Sequence, residues 1–352
     1  QQDASDQFLD AFNSGRLHHA WMITGARGIG KATLTWQIAK FLLATPDPID
    51  SRTLFGATEP ASSLTIDTDH PIARRIRAGS EPGIMVVRRA YDEKRKKFKQ
   101  MITVDEIRNL KSFFRLSATE GGRRIVIIDC ADDMNRNAGN ALLKILEEPP
   151  QNAYLFLISH QPARLFPTIR SRCRELRLKP LSPEDIAKSL EAAEIDLSDI
   201  NPSALAVLAS GSVGEAVKLM NLSGLEMFKK ILEIFETLPR LDNKKAIALS
   251  ETFSGTDNSA SFEFFISLLE LALSRLTLIG TKADGKAGTT IFNEATVFRR
   301  LCPNRHTAIR WAELTQELSE RLRHGHAVNL DPAALILDTF FQIEACAAKT
   351  AQ

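Results

Sequence analysis

Residues 21–31 read WMITGARGIGK, an apolar run followed at once by three glycines and a lysine. The run Trp21–Thr24 is typical of a buried strand, and apolar residues recur at helical spacing from Leu34 onward. A glycine-rich turn between a strand and a helix lets backbone N–H groups point at a phosphate, and the helix N-terminus adds its positive dipole. The stretch therefore predicts a phosphate-binding loop. Its binding residues are Gly25, Gly28, Gly30 and Lys31.

Three further apolar runs in the first half of the chain resemble Trp21–Thr24 in composition. They are Ile84–Val87, Ile125–Asp129 and Tyr154–Ser159, and a more polar run, Arg174–Leu178, follows them. Nearly continuous apolar runs are typical of strands covered on both faces, and the amphipathic stretches between them have the length of helical crossovers. The sequence therefore predicts an α/β core built on a parallel sheet.

The character of the sequence changes near Leu181. Beyond this residue apolar side chains recur only at helical spacing, and Ser182–Asp185 has the N-cap residue and the proline that begin a helix. A turn cluster, Asn221–Gly224, divides this helical part. We expect three domains: an α/β core over residues 1–179, a small helical domain over 180–222 and a larger helical domain over 223–352.

Composition and charge exclude several classes of protein. The chain has 352 residues with 44% hydrophobic and 25% charged side chains, which excludes a disordered or collagen-like chain, and its net charge of +2 leaves nucleic-acid contacts to a local patch. The four cysteines form no C-x-x-C pair, and no apolar run approaches the roughly 18 residues of a membrane span. We expect a soluble cytoplasmic protein that binds no metal ion and contacts no membrane.

The phosphate loop lacks a metal ligand and a base. In a complete loop of this type the residue after the lysine is Ser or Thr, whose hydroxyl binds Mg²⁺, but here it is Ala32. Thr33 lies one position too late. Asp129 ends an apolar run and is suited to hold a metal ion through water, yet the next residue is Cys130 instead of the glutamate that polarises the attacking water in hydrolysing proteins. Two catalytic groups are therefore missing.

A helix is predicted in front of Pro149-Pro150. Residues 138–150 read AGNALLKILEEPP, in which apolar residues recur at helical spacing until the two prolines end the run. Asp132 and Asp133 precede this stretch, and we expect them to lie in a turn or to cap the helix.

The stretch NALLKILEEPP at residues 140–150 and the turn Ser171-Arg172-Cys173 behind the phosphate loop resemble the AAA+ clamp-loader family of bacterial DNA polymerase III. Within that family the chain is similar to the delta-prime subunits. The resemblance covers most of residues 1–222, where the motifs are specific to the family. In the helical remainder, the chain resembles the family only in length and in structural class. It implies an AAA+ P-loop core, a small helical lid and an all-helical C-terminal collar domain in the three segments given above.

The resemblance also implies roles for single residues. Arg172 matches an arginine finger that is inserted into the ATP site of a neighbouring subunit, and Ser159 matches a polar sensor at the end of a strand. Gly214 replaces the arginine of a second sensor. Together with Ala32 and Cys130 it implies a degenerate ATP site. From the residues alone, an ion pair between Arg172 and an acidic neighbour on the same surface is the alternative.

Partners and cofactors follow from the same resemblance. It implies a stator subunit that joins gamma or tau and delta subunits and helps to load the beta sliding clamp onto primed DNA in the replisome. Asp129 and Ser159 would join the loop in a site that either holds ATP or ADP without hydrolysis or is empty. Residues 44–83 contain no cysteine, so the four-cysteine zinc module of many delta-prime chains is not expected. An ATP-hydrolysing motor subunit of the gamma or tau type is the alternative, and a binding module that assembles elsewhere is the third interpretation.

The segment Arg88–Lys99 contains seven basic residues and two acidic ones between a strand and a helix. Such a run contacts DNA phosphates, contacts an acidic partner or remains a solvated loop, and the sequence leaves these alternatives open. Its two aromatic residues, Tyr91 and Phe98, are too few in sequence to predict a platform for base stacking.

Overall fold

The computed structural model describes residues 1–46, 60–94, 96–115, 122–195, 201–253, 259–281 and 291–350. The chain divides into two compact units, and the boundary lies between Leu181 and Ser182. This boundary is two residues beyond the end predicted for the α/β core at residue 179. The second division, at residue 222, stays a prediction.

The first unit is built on a five-stranded parallel sheet. Its strands and those of a separate two-stranded hairpin are β1 (Ala20–Thr24), β2 (Ile84–Val87), β3 (Tyr91–Asp92), β4 (Lys97–Phe98), β5 (Arg124–Ile128), β6 (Ala153–Ser159) and β7 (Arg174–Arg177). The order in the sheet is β2-β5-β6-β1-β7, and β3 pairs with β4 in the hairpin. The four apolar runs and the more polar run are all confirmed as strands to within one residue at each end.

Helices cover both faces of the sheet. In the first unit they are α1 (Gln2–Asn13), α2 (Lys31–Ala44), α3 (Pro71–Arg77), α4 (Val104–Arg115), α5 (Arg136–Glu147) and α6 (Pro167–Arg170). Trp21 and Ile23 lie in the core layer that contains α1 and α2, whereas Met22 lies in the layer that contains α4 and α5. Successive residues of a strand point to opposite faces, so a strand covered on both faces is apolar at every position. This explains the continuous apolar runs.

Local sequence signals explain where α4 begins and where α5 begins and ends. The carboxylate of Glu106 accepts hydrogen bonds from the backbone N–H of Thr103, at 2.7 Å, and from the Thr103 hydroxyl, so α4 begins where the Thr/Glu spacing predicts. The side chain of Asn135 accepts a hydrogen bond from the backbone N–H of Ala138 and caps α5, which ends before Pro149-Pro150.

The second unit is helical throughout its described residues, as predicted. Its helices are α7 (Pro183–Glu191), α8 (Pro202–Leu208), α9 (Val213–Asn221), α10 (Gly224–Thr237), α11 (Asn243–Glu251), α12 (Ser259–Thr281), α13 (Glu294–Leu301), α14 (Arg305–Ala327) and α15 (Pro332–Thr350). Its interior holds large aromatic side chains such as Phe228, Phe265 and Trp311, all fully buried. Within the described ranges no helix on its own has the length and hydropathy to cross a membrane, although α8 and α9, bent by 113°, meet the criterion as a pair on length and composition.

Candidate nucleotide site

The strand order brings the predicted site residues to one edge of the sheet. Because β6 lies between β1 and β5, and all three are parallel, their carboxyl ends are neighbours. The loop 25–30 follows β1, Asp129 follows β5 and Ser159 ends β6. Ligands of open parallel sheets bind outside the carboxyl ends of the strands. The sheet thus places the sequence-predicted residues where a nucleotide site would form.

The loop 25–30 needs its glycines for backbone conformation and for space. Gly25 has φ of +138°, and a Cβ there would lie 2.5 Å from the Ile29 side chain and 2.7 Å from the carbonyl oxygen of Leu178. Gly30 has φ of +93° and immediately precedes α2. Only glycine adopts such angles without strain. The loop therefore has the glycine-dependent geometry of a phosphate-binding turn at a helix N-terminus.

Lys31, which follows the loop, is buried, with 3% of its surface exposed. Its ammonium group donates hydrogen bonds to the carbonyl oxygens of Gly25, at 2.7 Å, and Ala26, at 2.5 Å. Burial lowers the pKa of Lys31, and the charge of Asp132 acts in the opposite direction. The ammonium group therefore lies within the loop itself, where it would meet the outer phosphates of a nucleotide.

The first turn of α2 has no ligand for a metal ion at the expected position. Ala32 and Thr33 are both exposed, and Ala32 carries only a methyl group. The hydroxyl of Thr35 donates a hydrogen bond to the carbonyl oxygen of Lys31 inside the helix. Among the described residues, no group of three or more His, Cys, Asp or Glu side chains is arranged to hold a metal ion.

Cys130 occupies the turn after Asp129 in the left-handed conformation, with φ of +57°. Its thiol lies 3.7 Å from a carboxylate oxygen of Asp129 and 3.4 Å from Nε2 of His160. Burial, reinforced by the charges of Asp129 and Asp133, raises the pKa of this thiol to about 11. Burial also lowers the pKa of His160, and the charge of Lys31 adds to that effect. At neutral pH this turn therefore carries a protonated thiol beside an imidazole whose neutral form is favoured.

Asp132 has a role that sequence reasoning missed. It lies in a 3-10 turn and is 9% exposed, and its carboxylate accepts hydrogen bonds from the backbone N–H groups of His160, at 2.6 Å, and Gln161, at 3.1 Å. The Ser159 hydroxyl donates a third hydrogen bond to it. The structure confirms the turn among the two alternatives expected for Asp132 and Asp133, and Asn135 caps α5. These contacts join residues 27 to 29 positions apart, which no local pattern records.

Ser159 is fully buried, and its hydroxyl is used within the protein. Because the hydroxyl proton is directed at Asp132, this carboxylate fixes the orientation of the side chain that the sequence matched to a sensor. Gly214, the other position matched to a sensor, lies in the first turn of α9 in the second unit. A glycine there supplies no charged side chain.

Arg172 lies just after α6, with its side chain 37% exposed. One guanidinium nitrogen is 2.8 Å from a carboxylate oxygen of Glu147 at the end of α5, and another donates to the carbonyl oxygen of Thr168 at 3.1 Å. The surface ion pair that the sequence left open is thus present. Exposed pairs of this kind contribute about 1 kcal/mol or less to stability.

A family model described as "DNA polymerase III, delta subunit" matches residues 1–182 of the chain. Over 249 residues the chain is 32% identical to DNA polymerase III subunit delta' of Pseudomonas aeruginosa, covering 70% of this chain and 69% of that relative. This chain belongs to the delta-prime clamp-loader family of DNA polymerase III subunits. The resemblance inferred from the motifs is confirmed, and with it the AAA+ P-loop core followed by a helical region.

Similarity within DNA polymerase III extends beyond the delta-prime subunits. The chain is 25% identical over 339 residues to subunit tau of Escherichia coli, which covers 95% of this chain and 44% of tau. A DNA polymerase III gamma subunit-related protein of Thermotoga maritima superposes with a TM-score of 0.49 at 17% identity, covering 97% of this chain and 99% of that one.

Proposed function

We propose that this delta-prime family member is a non-hydrolysing clamp-loader subunit that supplies Arg172 to the ATP site of a neighbouring subunit. Its partners would be gamma or tau and delta subunits, and the assembly would open the beta sliding clamp and place it on primed DNA. The names of its relatives, which are subunits delta' and tau of DNA polymerase III, support such an assembly. A replication subunit of this kind would act in the cytoplasm.

The observation that carries the proposal is the combination of Ala32 and Cys130 at a sheet edge that otherwise has the geometry of a nucleotide site. The methyl group of Ala32 cannot bind Mg²⁺. A general base must accept a proton, and the Cys130 thiol, with its pKa raised to about 11, stays protonated near neutral pH. ATP or ADP would therefore be held, if at all, without turnover, and the proposal requires no zinc.

The position of Arg172 supports action in trans. Its guanidinium lies at the surface and is held by Glu147, so it is ordered without being buried. A guanidinium is always charged and offers several N–H donors, which suits it to neutralise the charge that develops on the phosphates during transfer. In this account Glu147 keeps the side chain in position until the neighbouring phosphate replaces it.

The test is the DNA- and clamp-stimulated ATPase rate of the assembly reconstituted from this chain and its motor and delta subunits. We expect Arg172→Ala to lower the rate by about twofold to tenfold, because only the adjoining site loses a group that contributes roughly 10³–10⁵ where measured. The matched control is Arg170→Ala, which removes an exposed arginine two positions away and should leave the rate unchanged. An unchanged rate for Arg172→Ala in an intact assembly would refute the arginine finger.

A second candidate function is an ATP-hydrolysing motor subunit. The similarity to tau favours it, because that alignment covers 95% of this chain. The two candidates differ in one property that the isolated chain displays: a motor subunit hydrolyses ATP with Mg²⁺, whereas Ala32 and Cys130 predict no turnover.

A further inference from the structure

The basic segment Arg88–Lys99 folds into a hairpin of β3 and β4. Tyr91 pairs with Phe98 and Asp92 pairs with Lys97, and the backbone N–H of Lys99 donates to the carbonyl oxygen of Ala90 at 2.8 Å. Residue 95 lies outside the described residues. The described residues of the segment thus form a paired ribbon, whereas the sequence left a solvated loop open as one alternative.

The base of this hairpin is attached to the turn that follows β5. Arg89 lies 3.4 Å from a carboxylate oxygen of Asp133 on the entering side. On the leaving side, the backbone N–H of Ile102 donates to the carbonyl oxygen of Asp133 at 2.8 Å, and that of Asn135 donates to Ile102 at 3.0 Å. Because both ends are fixed to one turn, the side chains of the hairpin have a defined place in the first unit.

The hairpin brings its two aromatic rings together at the surface. The ring centroids of Tyr91 and Phe98 are 5.3 Å apart at an interplanar angle of 75°, and the residues are 52% and 55% exposed. The sequence suggested that two rings seven positions apart are too few to act together, but cross-strand pairing makes them one surface. Residues this exposed contribute little to the core, and about half of the surface of each is accessible to a planar ligand.

The charges around these rings are mostly positive. Four described basic residues of the hairpin, Arg88, Lys94, Lys96 and Lys97, form no ion pair and are exposed, although Asp92 lies opposite Lys97 in the ladder. By contrast, Arg89 pairs with Asp133 and Lys99 with Glu106. The segment thus has more basic residues than acidic ones, seven against two, and an excess of positive charge beside exposed aromatic rings attracts a ligand that combines repeated negative charge with planar apolar groups.

We propose that the hairpin binds single-stranded nucleic acid, with bases stacked on Tyr91 and Phe98 and phosphates contacted by Lys94, Lys96 and Lys97. Single strands expose both their base faces and their phosphates, and proteins bind them with this combination of aromatic rings and positive charge. A duplex hides its base faces, and an acidic protein surface would use the lysines but not the rings. This inference goes beyond the proposed function and does not depend on Arg172 or on ATP.

The experiment measures binding of the full chain to a fluorescent oligothymidylate of about 16 nucleotides, the upper end of the site size of one single-strand-binding module. A blunt duplex and an oligouridylate of the same length serve as comparison probes. We expect Tyr91→Ala with Phe98→Ala to weaken binding about tenfold or more, since stacking on one ring is worth roughly that factor. Tyr91→Phe, which keeps the ring, should bind as the unaltered chain does.

The lysines are tested by salt dependence. Lys94→Gln with Lys97→Gln should make the slope of log K against log salt shallower by about 1.4, because each phosphate contact on a single strand contributes about 0.7. Lys244→Gln with Lys245→Gln on α11 is the matched control, since it removes the same charge from another exposed site and should leave the slope unchanged.

Three outcomes would overturn the proposal: no binding of either single strand, tighter binding of the duplex, or equal binding of oligothymidylate by the unaltered chain and the ring-deleted chain. Equal affinity for oligothymidylate and oligouridylate, with both lost in the ring-deleted chain, supports a surface that accepts single strands regardless of the sugar. All of these measurements use the chain alone, so their failure is distinct from a failure of the ATPase experiment above.

Discussion

The loop after β1 and the turn after β5 lie at the same edge of one sheet, yet they differ in what they offer a nucleotide. In the loop, Gly25 and Gly30 have φ angles of +138° and +93°. The ammonium group of Lys31 donates hydrogen bonds to two backbone carbonyl oxygens of the loop. The turn has a carboxylate, Asp129, beside a protonated thiol, and a second carboxylate, Asp132, whose oxygens accept hydrogen bonds from the end of β6. The loop has the geometry of a phosphate-binding turn, whereas the Asp132 carboxylate of the turn after β5 accepts hydrogen bonds from other groups of the protein.

Under the proposed function, the geometry for holding phosphate and the groups for hydrolysing it are separable in the fold. The glycine loop depends on backbone conformation and on the close approach of Gly25 to the carbonyl oxygen of Leu178. Hydrolysis would depend on single side chains, a hydroxyl at position 32 and a carboxylate at position 130, where this chain has Ala32 and Cys130. A subunit of the proposed kind would lack turnover and still have the fold in which it assembles with others.

The largest effect is expected from Gly25→Ala in the loop. The added Cβ would lie 2.7 Å from the carbonyl oxygen of Leu178, which belongs to the backbone and cannot move aside. We expect the free energy of unfolding to fall by about 3 kcal/mol or more, through combined strain and overlap. Hydrogen exchange of the β1 amides along a urea titration measures this change.

Gly30→Ala is the matched control for that substitution. Its φ of +93° is also positive, but a Cβ there would have no atom within 4 Å, so we expect a loss of about 1–2 kcal/mol from backbone strain alone. Equal losses for the two variants would contradict the account of the loop.

A smaller loss of stability is expected from Asp132→Ala in the turn. The substitution leaves the N–H groups of His160 and Gln161 and the Ser159 hydroxyl without their buried acceptor, which should cost about 2–3 kcal/mol. Hydrogen exchange of the amides at the end of β6 reports it. Asp133→Ala removes a neighbouring carboxylate that forms a partly exposed ion pair with Arg89, and it should cost about 1 kcal/mol or less.

The last prediction leaves the fold unchanged and concerns the reactivity of the Cys130 thiol. With its pKa raised to about 11, its thiolate fraction at pH 8 is about a hundredfold below that of a thiol with the ordinary value of 9.0. Alkylation by iodoacetamide should therefore be slow at pH 8 and rise about tenfold per pH unit toward pH 11. Mass spectrometry of the peptide that contains Cys130 follows this rate.

The free thiol of glutathione, alkylated in the same tube, is the control for the reagent in that experiment. A Cys130 rate that levels off below pH 9 would mean that the thiol ionises readily. The turn after β5 would then contain a usable base, contrary to the difference between loop and turn described above.

Much of the fold could be predicted because its signals are local. Apolar runs located four of the five strands of the parallel sheet, a more polar run located the fifth, and two prolines located the end of α5. The loop residues Gly25 to Lys31 were equally visible, since a strand, glycines and a helix must follow each other in the chain. The order of strands then brings Asp129 and Ser159 to the same edge.

The remaining features depend on contacts between distant residues. Asp132 accepts hydrogen bonds at the end of β6, and Arg172 forms an ion pair with Glu147. Each contact joins residues that no sequence pattern relates. The hairpin has strands of only two residues each, too short to show an alternation, so the pairing of Tyr91 with Phe98 was not predicted. Helix α1 also lay outside the sequence predictions.

The measurement that tests the central claim most directly is steady-state ATP hydrolysis by the isolated full chain with Mg²⁺, beside the Lys31→Ala variant. The account predicts that the unaltered chain turns over no more ATP than this variant, because neither a hydroxyl ligand at Ala32 nor a base at Cys130 is present. Magnesium-dependent turnover that Lys31→Ala abolishes would contradict it and would identify a motor subunit.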